Sequence, residues 1–126
     1  MLMEILKSKI HRARLTRCDL DYEGSLEIDL NYLDKSGMLP YEKILVVNAT
    51  NGERLETYAI PGERGSGVFC LNGAAAHKGN PGDVVTIMSF AGMSPEEAKE
   101  HLPEIIVLNE KNEIVARRKG RKNLPL

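Results

Sequence analysis

Lys9 and His11 lie two positions apart in a segment, Met3 to Leu15, that reads as a strand. Side chains so spaced on a strand share a side. The pair is then either an anion-binding wall or an exposed basic edge that discourages pairing with other chains. Arg54 and Tyr58, four apart on another strand segment, share a side in the same way. Arginine presents a planar fork that fits a carboxylate through two hydrogen bonds, and tyrosine donates from a rigid ring. Thr57 faces the other way in a regular strand, so Thr57 and Tyr58 serve one pocket only at a bulge, a strand end or a subunit boundary. Asn72-Gly73-Ala74-Ala75-Ala76-His77 adds a side-chain amide and small residues that leave backbone N–H groups open to a ligand, or else makes a plain turn. His77 has no partner at short spacing and reads as structural. A Gly–Ser bond such as Gly24–Ser25 carries no meaning alone, because loops are full of them.

The bulk properties narrow the classes. A chain of 126 residues supports one domain with a single modest core. Hydrophobic residues at 42% and charged residues at 28% are ordinary for a soluble globular protein. A net charge of −1 argues against a dedicated nucleic-acid binder. With no Trp and few aromatics, the core must come mainly from Val, Ile and Leu. Cys18 and Cys70 form neither a disulfide framework nor a metal cluster, and His11, His77 and His101 belong to no ligand motif. No metal site is expected. The N-terminus lacks a secretory pattern and no stretch approaches the roughly 20 apolar residues of a membrane span. The expectation is a cytoplasmic protein with no membrane partner.

Elements that would position these residues are short and strand-like. Glu42 to Ala49 reads as a buried strand and Arg54 to Ile60 as its partner, joined at Asn51-Gly52 by a type I′ turn. Gly67 to Leu71 and Asp83 to Phe90 are further strands, and Glu104 to Asn109 with Ile114 to Arg117 a late hairpin. Ser94-Pro95-Glu96-Glu97 starts a helix that ends before Pro103; a second covers Asn31 to Ser36 and stops at Gly37. Lys119 to Leu126 reads as a frayed basic tail. Many short strands with two small helices predict a mainly β barrel in a single domain, 1–126.

Taken in order, Tyr22-Glu23-Gly24-Ser25, Thr50-Asn51-Gly52 with Arg54-Leu55-Glu56-Thr57-Tyr58-Ala59-Ile60, Glu63-Arg64-Gly65-Ser66 and Asn72-Gly73-Ala74-Ala75-Ala76-His77 resemble the pyruvoyl-dependent aspartate 1-decarboxylases. The resemblance runs from Lys9-Ile10-His11-Arg12 to Phe90 and is less distinctive beyond. It implies a double-psi β-barrel with short helices, assembled as a homotetramer whose active sites lie at subunit interfaces. It implies self-cleavage between Gly24 and Ser25 into a 1–24 β chain and a 25–126 α chain. Ser25 then becomes a covalent pyruvoyl group, with neither metal nor pyridoxal phosphate required. Glycine at 24 would permit a strained approach of Ser25 Oγ to the Gly24 carbonyl. Thr57 would stabilise the resulting oxyanion.

The implied turnover is decarboxylation of L-aspartate to β-alanine and CO2 through a Schiff base, for pantothenate biosynthesis. Lys9, His11, Arg54, Thr57, Asn72, Gly73, Ala74 and Ala75 would bind substrate and Tyr58 would act as the acid. An accessory maturation factor belongs among the expected partners. Two other classes compete: an uncleaved barrel that binds a small acid or protein without catalysis, and an interaction domain whose tail, Arg117 to Lys122, meets an acidic partner.

Overall fold

Alternation along β1 (Met3–Arg14) sets the inside and outside of the protein. The computed structural model describes residues 1–126. Ser8 and Ile10 are buried, so Lys9 and His11 point outward together. The alternation then reverses: Ala13 is fully buried, and the β1–β7 register shifts between Ile10 and Ala13. Arg12 absorbs the extra residue at φ 65°, a β-bulge that twists the strand just past His11.

The remaining strands are β2 (Arg17–Asp19), β3 (Ser25–Asp29), β4 (Lys43–Asn48), β5 (Arg54–Gly62), β6 (Phe69–Asn72), β7 (Val84–Met93), β8 (Glu104–Leu108), β9 (Ile114–Lys119) and β10 (Lys122–Leu124). They join in the order β10-β9-β8-β1-β7-β4-β5-β3-β6-β2. The contacts β1–β8, β3–β5 and β2–β6 are parallel, and the others antiparallel. This mainly β, ten-stranded architecture is that expected of a double-psi β-barrel with short helices.

The core is aliphatic, as the composition requires. Ile10, Leu26, Ile28, Ile44, Val46, Leu71, Val85, Ile87 and Ile106 pack in one cluster, with Tyr32 stacked on Phe69 at 4.9 Å. Each such buried side chain stabilises the fold by about 1.5–3 kcal/mol relative to exposure. No helix is long and apolar enough to cross a membrane.

Both helices lie where their caps put them. α1 (Leu30–Ser36) ends at Gly37 with φ 77°, and α2 (Pro95–Glu100) starts with a full Ser94–Glu97 capping box. A third helical element, the 3-10 helix Gly73–Lys78, adds to the two expected. The β4–β5 turn is not type I′, because only Gly52 has positive φ. Asn48 shapes it instead: its Oδ1 accepts from Thr50 N at 2.9 Å and Asn51 N at 3.3 Å. Its Nδ2 donates to Asp83 and to the Lys78 carbonyl, which ties the turn to the end of the 3-10 helix. The C-terminus is not wholly frayed, since β10 pairs with β9 from Lys122 to Leu124.

Candidate active site

Ser25 opens β3 directly opposite Asn72, the last residue of β6. Because β3 and β6 are both central strands, the Ser25 side chain is 1% exposed although Gly24 beside it is open to solvent. Ser25 Oγ donates to the Glu23 carbonyl at 3.1 Å and accepts from Asn72 Nδ2 at 3.2 Å. A buried hydroxyl with both roles assigned is held in one rotamer, next to the carbonyl carbon of Gly24.

The chain past Asn72 turns sharply. Gly73 takes φ 65°, and a Cβ there would stand 2.7 Å from Gly24 N and 2.8 Å from Gly24 Cα and the Tyr22 carbonyl. A side chain cannot fit this approach without moving the backbone of the Gly24–Ser25 junction. Gly24 itself has no such need: its φ lies outside the left-handed region, and a Cβ would meet nothing nearer than Asn72 O at 3.9 Å. In the uncut chain the steric demand for glycine is therefore at Gly73. Gly73→Ala is expected to lower the melting temperature and to slow any cutting at this junction by at least roughly tenfold, whereas Gly24→Ala melts within a few degrees of the parent. Thermal melts and intact masses of the two variants check this.

Thr57 reaches the same place from β5. Leu26 pairs in parallel with Ala59, and carrying that register back two residues sets Gly24 level with Thr57. A cleft of about 310 Å³ is lined there by Gly24, Leu55, Glu56, Thr57, Ala74, Ala75 and Lys78, so its rim includes Glu56 from the other side of β5. Seven of the residues singled out in the sequence thus converge: Gly24, Ser25, Thr57, Asn72, Gly73, Ala74 and Ala75. Lys78, which sequence reasoning passed over, joins them with its ammonium 2.8 Å from Glu53.

Lys9, His11, Arg54 and Tyr58 lie elsewhere, on the outer face of the sheet. Across the strands one row runs Arg118, Ile105, Lys9, Met88, Leu45, Glu56. The next contains Thr86, Val47 and Arg54, and His11 joins it through Nδ1, 3.2 Å from Thr86 Oγ1. Three strand spacings, roughly 14 Å, separate Lys9 from the Arg54 strand. Tyr58 pairs with Lys43 on this side, its ring 6.3 Å from that of Tyr41.

The outer face is cationic. Lys9, Arg54 and Arg118 take part in no ion pair, and Arg118 Nε is buried without a hydrogen-bond partner. Burial, then the charges of Lys9, Arg12 and Arg118, hold the His11 pKa below that of an ordinary histidine, which keeps the ring neutral near pH 7.

The residues at the Gly24–Ser25 junction fit a group made from Ser25 itself. The hydroxyl is buried and oriented, and the cradle beside it exists only because Gly73 lacks a Cβ. Sequence comparison gives the same direction. The family model described as aspartate decarboxylase matches residues 1–115. An aspartate 1-decarboxylase of Bacillus licheniformis is 58% identical over 114 residues, 90% of each chain. That of Clostridium acetobutylicum is 51% identical over 90% of each chain. One from Salinibacter ruber is 49% identical over 94% of this chain and 81% of its own. Identity at this level across almost the whole length, with a family model over residues 1–115, makes the chain a member of the aspartate decarboxylase family.

Proposed function

We propose that the chain cuts itself between Gly24 and Ser25, leaving a 1–24 β chain and a 25–126 α chain, and then converts L-aspartate to β-alanine and CO2. The observation that carries this reading is the buried Ser25 hydroxyl, fixed between the Glu23 carbonyl and the Asn72 amide beside the Gly24 carbonyl. Oγ attacks that carbonyl carbon, and the peptide becomes an ester as the Ser25 nitrogen leaves. Thr57 donates to the oxyanion, a role supported by its position level with Gly24 in the cleft. Elimination across Cα–Cβ and hydrolysis of the dehydroalanine release ammonia and leave a pyruvoyl group at the head of the α chain. That group supplies an electrophilic carbonyl that draws electrons from the bond to the departing carboxylate.

The other residues bind and protonate. Asn72 and the backbone of Gly73, Ala74 and Ala75 orient the substrate amine at residue 25. Arg54 offers its fork to one substrate carboxylate and Lys9 a point charge, with neutral His11 alongside. Tyr58 returns a proton to the carbon that has lost CO2. These four face outward while Ser25 is buried, and β4–β5 pairing is regular from Arg54 to Tyr58, with no bulge to bring Thr57 and Tyr58 to one side. Thr57 is the fourth residue of β5, which exchanges β4 for β3 as its neighbour after Tyr58. Regular pairing on β4 speaks against a bulge, and the reading adopted for both to serve one pocket is a subunit boundary. The outer face of one copy then meets the Ser25 cleft of another in a homotetramer.

Such an enzyme works in the cytoplasm, in pantothenate synthesis, with an accessory maturation factor as a further partner. A denaturing intact-mass spectrum tests the reading first. Masses of chains 1–24 and 25–126, the latter lighter by one ammonia than a serine-headed chain, are expected together with CO2 release from L-aspartate. A full-length mass that persists through prolonged warm incubation refutes it.

A further inference from the structure

Cys70 is fully buried, and the reaction described above makes no use of it. It precedes Asn72 by two residues on β6, so both side chains leave the same face of the strand. One row across that face is Arg17, Cys70, Glu27, and the next is Asp19, Asn72, Ser25. Arg17 and Glu27, which flank the thiol, approach each other to 3.5 Å.

The polar contacts in these rows have a direction. Ser25 Oγ gives its only proton to the Glu23 carbonyl, so it meets Asn72 as an acceptor. Asn72 Nδ2 donates to it at 3.2 Å. Asn72 Oδ1 is thereby turned back along β6, where Cys70 Sγ donates to it at 3.2 Å. The other acceptor near the thiol, the Leu71 carbonyl, is farther away at 3.9 Å.

We propose that Cys70 is a positioning residue for self-cleavage: its thiol holds the Asn72 amide with N–H, and not C=O, toward Ser25 Oγ. This deepens the reading that the chain cuts itself at Gly24–Ser25 and rests on it. The orientation matters most in the second half of the reaction. Once Oγ carries the Gly24 acyl group, the Cβ–Oγ bond breaks and both its electrons stay on oxygen. Ser25 Cα loses its proton to solvent, and the electrons of that C–H bond form the Cα–Cβ double bond. Oγ becomes one oxygen of the Gly24 carboxylate, and negative charge gathers there. An N–H at hydrogen-bonding distance stabilises that charge, whereas a carbonyl oxygen in its place repels it. Without the thiol, buried Oδ1 has no donor on the β6 side, and the preference for the productive orientation is lost.

Cys70→Ser and Cys70→Ala test this, because they differ by one hydroxyl and neither overfills the core. Freshly made full-length chains are incubated, and chains 1–24 and 25–126 are followed by intact mass. Parallel samples are treated with hydroxylamine, which opens esters and so reports acyl shift without elimination. Cys70→Ser is expected to cut within about threefold of the parent, and Cys70→Ala roughly tenfold more slowly, the scale of one lost hydrogen bond. The hydroxylamine-sensitive fraction rises in Cys70→Ala only. Equal rates in the two variants overturn the inference, whatever their melting temperatures, because only Cys70→Ser keeps a donor for Asn72 Oδ1. If the parent itself never cuts, the cleavage reading fails and takes this inference with it; if the parent cuts and the variants match each other, only the role of Cys70 fails.

Discussion

Alanine in place of Ser25 is expected to give a folded chain that stays at full length, 126 residues, and releases no CO2 from L-aspartate. Two groups lose a partner in this variant, the buried Asn72 amide and the carbonyl of exposed Glu23. The cost is about 1–3 kcal/mol per unsatisfied group, less what water recovers through the open cleft at Gly24. A drop of several degrees in melting temperature follows, not unfolding, because Leu26, Ile28 and Leu71 still pack around β3 and β6. Chemistry is lost outright. A methyl group cannot accept the Gly24 acyl group, no ester forms, and nothing remains to be eliminated. Intact mass after prolonged warm incubation, run beside a CO2 assay, reads both halves of the claim. Measurable turnover in the uncut variant would remove the pyruvoyl group from the mechanism.

Much of this was legible in the chain itself, and the limits were physical. α1 and α2 stood out because their stop and start signals are local: Gly37 adopts a left-handed cap and Ser94 closes a capping box. β4 was marked by the apolar run Ile44 to Val47, and β5 as its partner returning after Asn51-Gly52. The turn type was not legible, because Asn48, before the dipeptide, takes the amide protons that decide it. β3 was missed although Leu26 and Ile28 alternate with Glu27. Five residues are too few for periodicity to speak against an adjoining glycine-containing loop.

The site divides in the same way. Residue types and side parity were readable: Lys9 with His11, Arg54 with Tyr58, and Thr57 opposed to Tyr58. Which glycine carries the steric load was not readable. It depends on the backbone near residue 73 touching that near residue 24, a contact between distant parts of the sequence. Nor could spacing show that β7 and β4 intervene between Lys9 and Arg54. The Cys70–Asn72 hydrogen bond was hidden for another reason: a thiol in an apolar strand looks like packing until its neighbours are placed.

Two damaged chains should together make an enzyme. Ser25→Ala keeps Tyr58 but cannot form the reactive group, and Tyr58→Phe keeps the self-cleavage machinery but turns over poorly for want of the acid. Within one copy, Tyr58 faces outward beside Lys43 and Tyr41, while Thr57, its neighbour, faces the Ser25 cleft. A site assembled from one copy's cleft and another's outer face is complete whenever the cleft comes from Tyr58→Phe and the face from Ser25→Ala. Random mixing in a closed assembly makes about one site in four complete, so co-expressed chains should approach about a quarter of the parent rate. Separately made and then combined homo-oligomers should show only half the Tyr58→Phe rate until subunits exchange. If Tyr58 instead served the Ser25 of its own chain, no mixed site would be complete. Co-expression would then give half the Tyr58→Phe rate and nothing more. The comparison reads the geometry directly, because neither variant alters a residue on the other's contribution to the shared site.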